Sequence, residues 1–321
     1  MKLVFVGPGI MPIPPTGWGA VEILIWDYKC IIEKIYGNDV HIDIINTPYK
    51  QQIIYDVNTL NPDIVHIHYD VFWDIVPYIK CKTVILTSHY GYIESNNWFP
   101  GYYPIFNGFV NSSAHIHCLS NRVYDIYKNA GVVPNRLFTI TNGANDELFQ
   151  FTNTPTFANK SIYLGKIEPR KKQALYQNIQ NIDFIGEVHD GVFNASNSNY
   201  LGKWSKDDVY NKLSHYGNLV LLSDGEVHPL VVCEALICGL GIVVSEAASA
   251  NLDRNQEFIT VIPDNRINDI QYVSQEIDKN RLISNTPDMR TKIRTYGITN
   301  FSYTTVVTTY INTLKKLIND T

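Results

Sequence analysis

The 321-residue chain is 45% hydrophobic and 18% charged, too apolar and too weakly charged for a disordered polypeptide and long enough for two domains. Its 26 basic and 31 acidic residues leave a formal charge of -5, which argues against nucleic-acid binding because phosphate neutralisation needs clustered positive charge. No stretch reaches about 18 apolar residues without a charge, Pro or polar break, so no membrane-spanning helix is expected.

The apolar opening, residues 1–11, is cut by Gly7, Pro8 and Gly9 before a signal-peptide core can develop. It reads as a first strand, and the chain as cytoplasmic. Further strands are expected over Val40–Ile45, Ile64–Ile67, Thr83–Thr87, Ala114–Leu119 and Leu137–Ile140. Between them, Val21–Ile35, Gln51–Leu60 and Asn121–Ala130 carry apolar residues at helical spacing. A second series follows over Ser161–Leu164, Asp183–Ile185, Leu219–Leu222, Gly241–Ser245 and Phe258–Ile262. Strands alternating with helices predict parallel sheets covered on both faces. The polar stretch Phe151–Lys160, with Pro155, is the linker candidate. The reading is α/β: one domain over residues 1–152, a second over 160–303. A terminal helix over about 304–321 has the apolar stripe Val307, Tyr310, Ile311, Leu314 and Leu317 and can cross back onto the first domain.

Five cysteines stand in apolar surroundings with no Cys-x-x-Cys pair, so they read as buried thiols in a reducing compartment. His66-x-His68 and His115-x-His117 have a spacing that metals use, but no convincing third ligand accompanies either, and no metal is expected.

Three loops follow strands, where open parallel sheets bind ligands. In the first, Gly17-Trp18-Gly19 precedes a helical run. It is either a plain glycine turn or a place where backbone N–H groups approach a phosphate. In the second, Gly165 is followed by Lys166, Arg170, Lys171 and Lys172 at the start of a predicted helix. Cations there oppose the helix dipole, so they form either a solvated basic surface or a clamp on an anion. In the third, Glu226 stands in a turn, Pro229 suits the opening of a helix, and Glu234 interrupts its apolar run. A carboxylate inside an apolar run is costly unless paired or hydrogen-bonded.

Glu226 and Glu234 match the Glu-x7-Glu pattern of retaining glycosyltransferases, and the chain resembles the glycosyltransferase family 4 type. Other pieces come in family order. Residues 17–22 resemble the first-domain glycine loop, and 63–68 and 84–89 the third- and fourth-strand signatures. Residues 140–149 resemble the Asn-Gly segment before the linker, and Gly165–Lys171 the diphosphate clamp. The resemblance spans about residues 1–263. It implies the GT-B fold, with two Rossmann-like αβα domains facing each other across a cleft. It also implies a nucleotide-diphosphate sugar as donor substrate, with no separate cofactor.

By that resemblance, Lys166 and Lys171 hold the diphosphate, aided by amides near Gly19, Leu230 and Val231. Glu234 binds the ribose, Glu226 contacts the donor sugar near its anomeric carbon, His89 sits at the reacting sugar, and Asn142 lines the cleft. The implied reaction is hexosyl transfer to a hydroxyl acceptor, a glycan, with retained configuration and without a metal. Fixed cations and amides would stabilise the departing diphosphate. The sequence departs from the family where Lys166 replaces an Arg, losing the planar fork. Pro229 stands where many members have Gly, and the segment after Ser245 lacks the usual Gly-Gly and Glu.

The aromatic loop Tyr90–Tyr103, with Trp98, either contacts an acceptor sugar or forms an aromatic cluster of the first domain. Residues 1–150 hold 9 basic against 13 acidic residues and the remainder 17 against 18, so membrane contact is expected to be peripheral at most. The alternative readings are a sugar-nucleotide epimerase or phosphorylase sharing the two-domain fold, and a catalytically silent nucleotide-sugar-binding subunit.

Overall fold

The computed structural model describes residues 1–17, 19–93 and 100–319. The chain divides into two units, Met1–Thr141 with Tyr303–Thr321, and Asn142–Ser302. The expected linker therefore lies within the second unit, and Phe157–Lys160 are the first half of a strand.

The first unit has six parallel strands: β1 (Lys2–Val6), β2 (His41–Ile45), β3 (Ile64–Ile67), β4 (Thr83–Leu86), β5 (His115–Cys118) and β6 (Leu137–Thr139). Their order is β2-β1-β3-β4-β5-β6. Helices α1 (Ala20–Tyr36), α2 (Lys50–Leu60), α3 (Tyr103–Asn111) and α4 (Asn121–Asn129) connect them. Leu3–Val6 and Ile64–Ile67 are buried throughout, as continuous apolar runs must be when helices cover both faces. The second unit has five parallel strands: β7 (Phe157–Leu164), β8 (Ile182–Ile185), β9 (Tyr216–Leu221), β10 (Gly241–Ser245) and β11 (Ile259–Ile262). They are ordered β11-β10-β9-β7-β8. Its helices are α5 (Gln173–Tyr176), α6 (Lys206–Lys212), α7 (Leu230–Ile237), α8 (Ile270–Ser284) and α9 (Pro287–Phe301), and α10 (Tyr303–Asn319) returns to the first unit. In each sheet the strand order reverses direction beside its first strand, between β1 and β3 and between β7 and β9. Those are the positions where a parallel sheet leaves a crevice for ligand.

Each unit contains a buried polar device that ties distant segments. In the second, the fully buried Arg290 donates to the carbonyls of Thr152 at 2.8 Å, Tyr216 at 3.0 Å and Cys238 at 3.3 Å. With no carboxylate among these partners, burial pushes its guanidinium down to about 10. In the first, a hydrogen-bond chain crosses the sheet to α10. His117 Nε2 lies 2.9 Å from the Ile140 carbonyl, which only accepts, so Nε2 carries the hydrogen. His117 Nδ1 then accepts from Thr87 at 3.0 Å, Thr87 accepts from His66 Nε2 at 2.6 Å, and His66 Nδ1 accepts from the Tyr310 hydroxyl at 2.7 Å. One carbonyl sets the direction of every donor in the chain.

Among the described residues, Cys118, Cys233 and Cys238 are buried, but Cys81 is only half-buried and Cys30 is exposed on α1, a correction to the expectation that all five are core. Its helix position faces solvent although Ile31 and Ile32 follow it directly. No helix of the described residues is long and apolar enough to cross a membrane.

Tyr310→Phe leaves His66 Nδ1 without its donor and should cost about 1–2 kcal/mol in urea unfolding. Thr308→Ala on the exposed face of α10 should cost less than about 0.5 kcal/mol. Equal stability of Tyr310→Phe and the parent would contradict the chain.

Candidate active site

The carboxyl ends of β7 and β9 carry the second and third loops. Gly165 and Gly186 close β7 and β8 with φ of 146° and 154°, and a Cβ on Gly186 would lie 1.9 Å from the Gly165 oxygen. Only glycine permits that approach. Gln173, fully buried, braces the loop by donating to the Lys166 carbonyl at 2.9 Å. The short 3-10 turn Pro169–Lys171 follows. Tyr163 on β7 accepts from the Leu222 amide at 2.8 Å and donates to the Lys171 carbonyl, joining the two loops across the reversal of strand order.

Glu226 meets two cations there. Arg170 Nη1 lies 2.9 Å from its Oε1 and Lys171 Nζ 3.9 Å. Arg170 also contacts Ser223 Oγ at 3.1 Å, the Gly225 carbonyl, and Glu168 at 2.7 Å. Beside them Lys172 pairs with Asp224 at 2.5 Å. Lys166 is not part of this cluster. Its side chain is exposed and adds to the pull that Lys203, the larger influence, exerts on Glu187 to hold that carboxyl below its ordinary value.

Glu234 lies one turn into α7 and is partly buried, and Leu230 and Val231 are the first two residues of that helix. Their amides are among those an α-helix leaves without an internal acceptor. Pro229 is its N-cap, without a side-chain cap. Asn142 is buried: its side-chain amide donates to the His228 carbonyl at 2.9 Å and its backbone amide to His228 Nδ1 at 3.0 Å. It therefore braces the turn that carries Glu226.

In the first unit, Gly19 is the N-cap residue of α1, and a Cβ there would lie 2.5 Å from a Glu22 carboxylate oxygen. That acid already complements the positive end of the helix. His89 follows β4, partly buried, with Nε2 3.2 Å from His68 Nδ1. Trp18 and Trp98 lie outside the described residues. Among the described residues, no group of three or more His, Cys, Asp or Glu is disposed to hold a metal ion.

The Glycosyltransferase Family 4 model matches residues 43–148. Among solved structures, the chain resembles AviGT4, a glycosyltransferase involved in avilamycin A biosynthesis, at 11% identity and a TM-score of 0.71. The alignment covers 100% of this chain and 98% of that one. It resembles Anabaena HepE in complex with UDP-glucose at 14% identity and 0.71, over 98% and 100% of the two chains. Sucrose-phosphate synthase from Thermosynechococcus elongatus aligns at 13% identity and 0.73, over 100% of both. Residues 43–148 thus resemble glycosyltransferase family 4. The chain's two parallel α/β sheets are those of the GT-B fold. No curated protein sequence matches it significantly.

The sequence singled out Lys166 and Lys171 as the paired cations; in the structure Arg170 and Lys171 are the two that meet Glu226. Arg170 was legible only as one of a basic run. Its planar fork, which reaches Ser223, Gly225 and Glu226 together, is the chemistry whose absence at Lys166 the sequence had marked.

Burial of histidines sets the chain's acid response. Desolvation pushes His117 and His228 down to about 4, and His66 and His68 well below their ordinary value. Between their folded values and the unfolded value of about 6.5, the unfolded chain binds more protons, so stability falls as pH falls. The melting temperature should begin to drop near pH 6.5 and fall continuously toward pH 4. A flat profile down to pH 4.5 would contradict neutral, buried imidazoles.

Proposed function

We propose that the chain transfers a hexosyl group from a nucleotide-diphosphate sugar to a hydroxyl of a glycan acceptor, with retention of anomeric configuration. The observation that carries this reading is Glu226 gripped by Arg170 and Lys171 where strand order reverses, eight residues before Glu234 on α7. A sugar-diphosphate bond breaks with negative charge flowing onto the diphosphate. Cations and unsatisfied helix amides fixed beside it lower that barrier.

Lys171, with the Leu230 and Val231 amides, holds the diphosphate, and Glu234 accepts from ribose hydroxyls. Glu226 accepts from hydroxyls of the donor sugar. In doing so it exchanges its contact with Arg170, whose fork then turns to phosphate oxygens. Lys166 adds charge at the rim, Gly19 offers backbone to phosphate, and His89 contacts a sugar hydroxyl. Asn142 keeps the Glu226 turn in place. Retention follows if the acceptor attacks on the face the diphosphate leaves, with Glu226 as a binding group and not a nucleophile. A UDP-sugar is the first donor to try, since the similar HepE was solved with UDP-glucose. The reading includes a metal-independent, cytoplasmic enzyme with at most peripheral membrane contact.

Thermal shift with UDP-, GDP- and ADP-sugars should single out one donor base. With that donor, Lys171→Ala and Glu226→Ala should lower transfer by at least about 100-fold at unchanged melting temperature, and Lys166→Ala by much less. Activity should survive EDTA. Full activity in Lys171→Ala or Glu226→Ala would overturn the assignment, and strict metal dependence would overturn the mechanism.

A further inference from the structure

His68 and His89 form an imidazole pair with Nδ1 of the first 3.2 Å from Nε2 of the second, their rings nearly parallel at 18°. Both side chains are neutral near pH 7, because burial depresses His68 far below its ordinary value and takes His89 down to about 3. A neutral imidazole carries one N–H, so two arrangements are open. In one, His68 Nδ1–H donates to His89 Nε2. In the other, His89 Nε2–H donates to His68 Nδ1, which forces the only hydrogen of His68 onto its Nε2.

The surroundings of His68 Nε2 decide between them. That atom is buried and has no hydrogen-bond partner. It belongs to a ring held between the His66 imidazole at 3.9 Å and the edge of Phe5 at 5.0 Å. The second arrangement would strand an N–H there, whereas the first strands only a lone pair. Orphaned buried N–H groups are the rarer and costlier case. Asp70, two residues past His68, does not compete, since it accepts from Ser88 at 2.8 Å.

We infer that His68 is a positioning residue that locks His89 in the tautomer with hydrogen on Nδ1. Among the described residues His89 Nδ1 makes no hydrogen bond, so the lock leaves it a free donor for an oxygen ligand. Resting on the proposed reading of His89, that ligand is a hydroxyl oxygen of a reacting sugar. His89 then binds by donating and cannot take a proton at Nδ1. Neither its charge nor its basicity is used; only the direction of one N–H is.

Nitrogen-15 NMR of histidine-labelled full-length protein tests this without reference to activity. The parent should show His89 with a protonated Nδ1 and a bare Nε2. His68→Asn keeps an N–H near the Nδ1 position and should preserve that pattern. His68→Leu removes the donor and should move His89 toward Nε2–H. Transfer should follow the tautomer: kcat falls about 10- to 100-fold in His68→Leu with little change in donor KM, and largely recovers in His68→Asn. A parent spectrum with hydrogen on His89 Nε2 overturns the lock, and it decides even if His68→Leu fails to fold. The Nδ1–H pattern together with full activity in His89→Ala supports the lock and overturns instead the role of His89 in transfer.

Discussion

The hydroxyl of Tyr163 holds the second unit's chemistry together. From the buried carboxyl-terminal half of β7 it accepts from the Leu222 amide and donates to the Lys171 carbonyl. It thus closes the gap where β7 and β9 lie side by side and their loops part. Burial pushes the phenol far above its ordinary value, so it remains an O–H donor at any relevant pH. Without it, a buried amide and a carbonyl on two different loops would each lose a partner, at a cost of about 1–3 kcal/mol apiece. Lys171, Arg170 and Glu226 stand near one another because of that bridge, and Gln173 and Asn142 hold the outer sides of the same two loops.

The first unit solves a different problem with the same means. Strand ends at His66, His68 and His117 bring imidazoles into a desolvated interior where a charged form is too costly to persist. Each must then be satisfied as a neutral donor and acceptor. The Ile140 carbonyl and the Tyr310 hydroxyl supply the two ends of one chain, which ties the final helix to the sheet. His68 and His89 form a separate pair, with one face against the core and the other toward the loop after β4. Polar order is thereby carried from the packed interior to a residue at the strand ends.

Much of this architecture was readable from pattern. Ile64–Ile67 and Gly241–Ser245 have the bounds their apolar runs suggest, and the other strands differ by a few residues. Long β-branched runs in parallel sheets are buried on both faces, so composition alone marks them. Phe157–Lys160 was not legible, because a strand that extends past its core with Asn and Lys looks like a linker. Helix α3, with Pro104 in its first turn and Gly108 packed against Trp73, also lacks a helical signature. Its placement comes from contact with residues far away in the chain.

The carboxylate spacing of Glu226 and Glu234, the glycine at 165 and the lysine at 171 were set by the sequence itself, because local backbone needs and strand ends confine those residue types. Which cation meets Glu226 was not. Arg170 and Lys166 are four residues apart, but Arg170, within a turn of 3-10 helix, reaches Ser223 and Glu226, whereas Lys166, before that turn, adds to the charge acting on Glu187. Likewise the sequence placed histidines at strand ends, but only burial could strip their charge and only the partners around each ring could set where its hydrogen sits. Residue identity defines which groups are available; the direction of a side chain and the state of its proton depend on neighbours brought in from other parts of the chain.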